Sequence, residues 1–177
     1  MLRLLTIAGV LIMLSSCSSN KLSYYDNTEP KLAFDEYFSG NLNGWGLVQN
    51  WKGQVVRRFD IKMTGSWQGN KGELHEQFHY YDGEDQQRVW RIQKLGDGSF
   101  EGRADDILGP AVGASNGNAI NWHYVIDLPV GGKVYRVKFD DWMWLMNDGV
   151  LINRSYIKKF GITVAELTIF IQRAKPE

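Results

Sequence analysis

From about residue 45 onward, apolar and polar side chains alternate along the chain in short runs. Leu74, Glu76, Phe78 and Tyr80 alternate with Glu73, His75, Gln77 and His79, and Ile120, Trp122, Tyr124, Ile126 and Leu128 alternate with Asn121, His123 and Asp127. A period of two is that of a strand with one face turned to a core. Between the runs stand Gly69-Asn70-Lys71-Gly72, Asp82-Gly83, Asp97-Gly98, Gly131-Gly132 and Asp148-Gly149, residues that accept the positive φ of tight hairpin turns. The pattern predicts strands over 45–51, 54–67, 73–81, 87–95, 99–106, 118–128, 133–142, 150–160 and 163–173.

No long helical periodicity interrupts these strands; residues 31–39 have the pattern of one short helix through Leu32, Phe34, Tyr37 and Phe38. A meander of this length disposes of its exposed edges by closing on itself. The expected fold is therefore all-β, an antiparallel up-and-down, lipocalin-like barrel of about 8–9 strands, with a two-sheet sandwich as the other arrangement. A membrane-spanning barrel is disfavoured because its outer face must be an unbroken apolar band, and Arg58, Asp60, Lys62 and Lys138 fall at outward positions. The stretch Gly109 to Gly117 reads as a long loop at a barrel mouth. It lacks the lysine and the following helix of a phosphate-binding loop.

The first sixteen residues differ from the rest. Arg3 is followed by an apolar run from Leu4 to Leu14 and then by small residues. That run is too short for a membrane span, which needs about 20 residues, and fits the core of an export signal. Leu14-Ser15-Ser16-Cys17 resembles the lipobox of bacterial lipoproteins, in which cleavage precedes a cysteine that carries a diacylglyceryl group. Cys17 is the single cysteine of the chain, so no intramolecular disulfide competes for it. The expected organisation is a signal peptide over 1–16, a lipidated cysteine and flexible tether over 17–30, and a barrel domain over 31–177. Ser18 stands where a retention signal would place Asp. The expected location is thus the periplasmic face of the outer membrane, with the membrane held through the lipid anchor.

Loss of Arg3 with the signal leaves 19 Lys and Arg against 20 Asp and Glu. A balance so near zero argues against nucleic acid, which selects a basic stripe. The same balance predicts no polybasic patch for anionic lipid.

Trp45-Gly46, the run Arg58 to Trp67, Glu76-Gln77-Phe78, Asp82-Gly83-Glu84, Arg88-Val89-Trp90, Gly117-Asn118-Ala119, Asp141-Trp142-Met143 and Asn153-Arg154 follow one another in an order that resembles the DUF3833 family of proteobacterial lipoproteins. The resemblance covers essentially the whole domain. It implies a lipoprotein with a lipocalin-like fold, and it carries no catalytic residues with it.

Candidate chemistry narrows to charges among apolar neighbours. His75 and His79 share a strand face but lie about 13–14 Å apart by strand rise, too far to share one ion. No G-x-S-x-G or triad context is present, and no cofactor or metal site is expected. In the predicted strands Arg57 falls in line with Phe59, Ile61 and Met63, Glu76 with Phe78, Arg88 with Trp90 and Ile92, and Arg154 with Ile152 and Tyr156. A charge placed so is either one half of a structural ion pair or a fork for the carboxylate or phosphate of a ligand. Arg57, Glu76, Arg88, Trp90, Trp122 and Arg154 are accordingly the candidate ligand-binding residues, the ligand being a fatty acid, phospholipid or other apolar anion. The other reading is a filled barrel that binds an envelope protein partner, with the apolar run Trp142 to Met146 as its contact. An enzyme using Glu76, Asp105 or Asp106 as general acid or base lacks an accompanying nucleophile or metal motif.

Overall fold

The structure is a computed structural model that describes residues 21–175. Cys17 and the expected signal peptide lie outside the described residues. The strands are β1 (Gly40–Asn50), β2 (Val55–Gln68), β3 (Lys71–Tyr80), β4 (Asp85–Gly96), β5 (Ser99–Arg103), β6 (Ala111–Asn116), β7 (Ala119–Val130), β8 (Lys133–Leu145), β9 (Leu151–Lys159) and β10 (Ile162–Arg173). Each pairs antiparallel with the next, and β1 pairs with β10 from Leu42 opposite Arg173 to Asn50 opposite Ala165, closing the barrel. Period-two alternation decides which face turns inward. On β2, Phe59, Ile61 and Met63 are buried while Arg58, Lys62 and Thr64 are exposed.

The barrel has ten strands, not eight or nine. The added strand is β6, which lies within the stretch expected to be a loop. Its Gly, Ala, Ser and Asn residues are poor strand formers, and what holds them in the sheet is their neighbour. Gly113 sits opposite Trp122 of β7, and a Cβ at Gly113 would come within 2.4 Å of the Trp122 ring. Gly102 on β5 stands under the same ring, at 2.7 Å. The small residues are there to make room for the indole.

Helix α1 (Phe34–Tyr37) closes one end of the barrel. Leu32, Phe34, Tyr37 and Phe38 are all buried. The Phe34 ring lies 5.0 Å from Phe100, 5.8 Å from Trp122 and 5.9 Å from Trp67, and the Tyr37 hydroxyl reaches the Ile171 carbonyl at 2.9 Å. Residues 21–30, the described part of the expected tether, lie against the outer face rather than hanging free. A 3₁₀ turn over Leu22–Tyr25 rests beside β6 and β7, the Tyr25 ring packs at a tilt on Trp142 with centroids 6.0 Å apart, and Thr28 Oγ1 donates to Asn118 at 2.8 Å. Trp142 is buried by this cover, and only Met146 of the Trp142 to Met146 run is exposed.

Ten strands enclose more space than side chains fill. Above the α1 plug the interior holds a cavity of about 650 Å³ that runs toward the far end of the barrel. Replacing Gly113 with Val drives two methyls into the Trp122 ring, so urea unfolding of Gly113→Val is expected to show a loss of about 1–3 kcal/mol. An unchanged midpoint would mean that β6 is not held by this contact.

Candidate functional site

The cavity is apolar for most of its length, with Phe59, Ile61, Phe78, Ile126, Phe139 and Ile169 among its walls. Arg57, Gln86 and Asp127 stand toward its mouth, and a second set of polar groups forms a band deeper inside. Glu76 on β3 and Arg88 on β4 face each other across the strand pair, and Tyr124 on β7, Asp141 on β8 and Asn153 and Ser155 on β9 enter the same space.

Arg88 is engaged. Its Nη2 donates to Asp106 Oδ2 at 2.6 Å and its Nε to the same oxygen at 3.0 Å. Burial works against its charge, but Tyr124, Glu76 and Asp106 outweigh burial and hold the guanidinium pKa above its ordinary value. The cation also lies over the rings of Trp90 and Tyr124, at 5.6 and 6.0 Å.

Arg57, nearer the mouth, is engaged too. It donates to Asp82 Oδ2 at 2.8 Å and Glu84 Oε2 at 2.5 Å, and lies flat on Tyr80 at 3.4 Å. Both arginines that enter the cavity are therefore already matched by carboxylates.

The two acids deeper inside are not. Glu76 Oε2 and Asp141 Oδ1 are buried without a hydrogen-bond partner. Desolvation pushes Glu76 up to about 7, opposed by the Arg88 charge and a hydrogen bond from Trp90. Asp141 is likewise pushed up to about 7 by burial, opposed by hydrogen bonds from Ser155 and Tyr124. Near neutral pH each acid is poised between a carboxylate that accepts and a carboxylic acid that both donates and accepts.

Of the candidates read from sequence, Arg57, Glu76, Arg88, Trp90 and Trp122 line the cavity and Arg154 does not. Arg154 lies on the outer face of β9, paired with Glu166 at 2.9 Å. The inward residues of β9 are Leu151, Asn153, Ser155 and Ile157, the reverse of what its apolar pattern suggests. Sequence reasoning missed Asp141, Asn153, Ser155 and Tyr124 as a polar group. The available signal was parity, because Asp141 shares its face with Val137, Phe139 and Met143. Among the described residues no three His, Cys, Asp or Glu side chains converge to hold a metal ion.

The fold and the site define a closed antiparallel barrel whose apolar chamber carries a buried polar band. The chain belongs to the DUF3833 family, whose description is protein of unknown function; the match spans residues 11–173. No curated protein matches the sequence.

The raised acids make stability fall as pH rises. The folded state keeps its proton on Glu76 between the ordinary value of 4.5 and about 7, where the unfolded chain has lost it, so stability is fully present below that window and lost through it. Glu76→Gln is expected to reduce the difference in unfolding free energy between pH 5 and pH 8 by on the order of 1–3 kcal/mol. An identical pH dependence in the two proteins would show that Glu76 ionises in the folded barrel as it does in water.

Proposed function

We propose that this protein is a lipoprotein, anchored through Cys17 at the periplasmic face of the outer membrane, whose barrel binds one long apolar molecule by a hydrogen-bond-donating head. The observation that carries the reading is the pair of unpartnered acceptors, Glu76 Oε2 and Asp141 Oδ1, inside an otherwise apolar cavity of about 650 Å³. That volume lies within the range of small-molecule sites. A buried acceptor left unpaired is costly, and a ligand hydroxyl or protonated carboxyl supplies what it lacks.

The arginines favour this head over a bare anion. With Asp106 on Arg88 and Asp82 and Glu84 on Arg57, an incoming carboxylate would meet neighbouring acids before a free guanidinium. A fatty acid fits in its protonated form, sharing its proton with Glu76 or Asp141. A long-chain alcohol fits at any pH.

Trp90 and Trp122 line the chamber, so their fluorescence reports occupancy. Titration with hexadecanol is expected to saturate at one molecule per barrel, and palmitate to bind more tightly at pH 5.5 than at pH 8.5. The double change Glu76→Ala with Asp141→Ala should weaken hexadecanol about tenfold or more, from the loss of hydrogen bonds to acidic groups, while Arg154→Met on the outer face leaves it unchanged. Absence of saturable binding by either probe, or equal affinity in the double variant, overturns the reading.

A further inference from the structure

The exposed large hydrophobic side chains are unevenly spread. Trp51, Val55 and Val56 at the β1–β2 tip, Val130 and Val134 at the β7–β8 tip, and Phe160 and Ile162 at the β9–β10 tip all crowd the open end of the barrel, opposite α1. Trp51 is 74% exposed and Phe160 93%. Because β1 is bonded to β10 and β9 to β8, these three hairpins are consecutive around the rim.

Their charges agree. Lys52 lies 5.0 Å from the Trp51 ring, Lys159 lies 4.2 Å from the Tyr135 ring and 5.4 Å from the Phe160 ring, and Lys133 follows the Gly131-Gly132 turn. No acid stands between Gln49 and Arg58, between Val130 and Tyr135, or between Tyr156 and Val164. The other two tips of the same rim are acidic, with Asp82, Glu84 and Asp85 on one and Asp105 and Asp106 on the other. Tyr81 and Leu108 are exposed on the acidic tips too, but each stands alone; one side of the mouth thus joins clustered apolar side chains to lysines, and the other is acidic.

Phe160 adds a third observation. It forms a two-residue turn with Gly161 in which both residues have positive φ, 51° and 81°. That geometry favours Asn-Gly, and a bulky aromatic there is disfavoured by sterics. Apart from the Lys159 ammonium near its ring, Phe160 is almost wholly exposed and recovers little from packing.

From these features we infer that the β7–β8, β9–β10 and β1–β2 tips form a docking surface for a lipid bilayer with anionic headgroups. The apolar tips enter the interfacial layer, where Trp is favoured, and the lysines meet the headgroup charge. The acidic tips are held away from that charge, so the barrel meets the surface tilted, with its mouth against it. Leu22 and Tyr25 hold the start of the described chain beside Asn116 and Gly117 at the α1 end, so this surface lies at the end opposite the one from which an anchor at Cys17 extends. The surface adjoins the cavity mouth at Val56 and Val130, and it stands whether or not the chamber holds a ligand.

Hydrogen exchange of the full chain, alone and with vesicles of phosphatidylglycerol and phosphatidylcholine, tests this position by position. Amides over 50–56, 130–135 and 158–164 are expected to slow at least threefold on the mixed vesicles, while those over 81–85 and 105–109 do not change. Phe160→Asn, which suits the turn better, should melt no lower than the parent and yet lose most of the slowing at 158–164. Equal slowing on phosphatidylcholine alone, slowing at all five tips, no slowing at any tip, or full slowing in Phe160→Asn each overturns the inference.

Discussion

The bond between the first strand and the last governs everything else in this molecule. Once β1 and β10 pair from Leu42–Arg173 to Asn50–Ala165, all ten strands are committed to one ring, and the width of that ring exceeds what inward side chains fill. Two consequences follow. One end needs a stopper, which Phe34, Tyr37 and Phe38 provide, and the space above it remains as a chamber. The aromatic rings near the stopper are so large that Gly102 and Gly113 must stand beneath Trp122. Closure thereby selects glycine in two strands where propensity disfavours it.

Hollowness also explains the charges. An arginine facing a filled core would need every donor paired; Arg88 instead meets Asp106 at the chamber wall and has Glu76 opposite it in the next strand. Two acids remain with one oxygen each unpaired. Burial raises both toward neutrality, which lowers the cost of keeping them there and leaves them able to exchange a proton with a head group. The apolar, basic side of the mouth borders this chamber.

Much of this was legible from residues alone. The runs at 73–80 and 120–128 alternate nearly strictly because one face touches an apolar wall, and that parity puts Glu76 and Trp122 inward, where they line the chamber. Strand β6 was not legible: its small residues serve the Trp122 ring, a partner that no local pattern names. Arg154 misled for a different reason. On β9 the chamber side carries Asn153 and Ser155 while Ile152 and Tyr156 face outward, and a cavity with a polar band inverts the rule that apolar means inside. Asp141 carried a signal that went unused, since it shares its inward face with Val137, Phe139 and Met143 while Asp140 beside it makes the pair look like a polar strand end.

Whether a molecule occupies the chamber decides what the buried acids are for. Native mass spectrometry of the protein, drawn gently from the membranes of its own cells, reads occupancy directly. One non-covalent apolar molecule per barrel is expected, bearing a hydroxyl or carboxyl head and lost when Glu76 and Asp141 are both changed to Ala. Protein that emerges repeatedly with no such molecule, or that carries the same one in the double variant, would contradict this expectation.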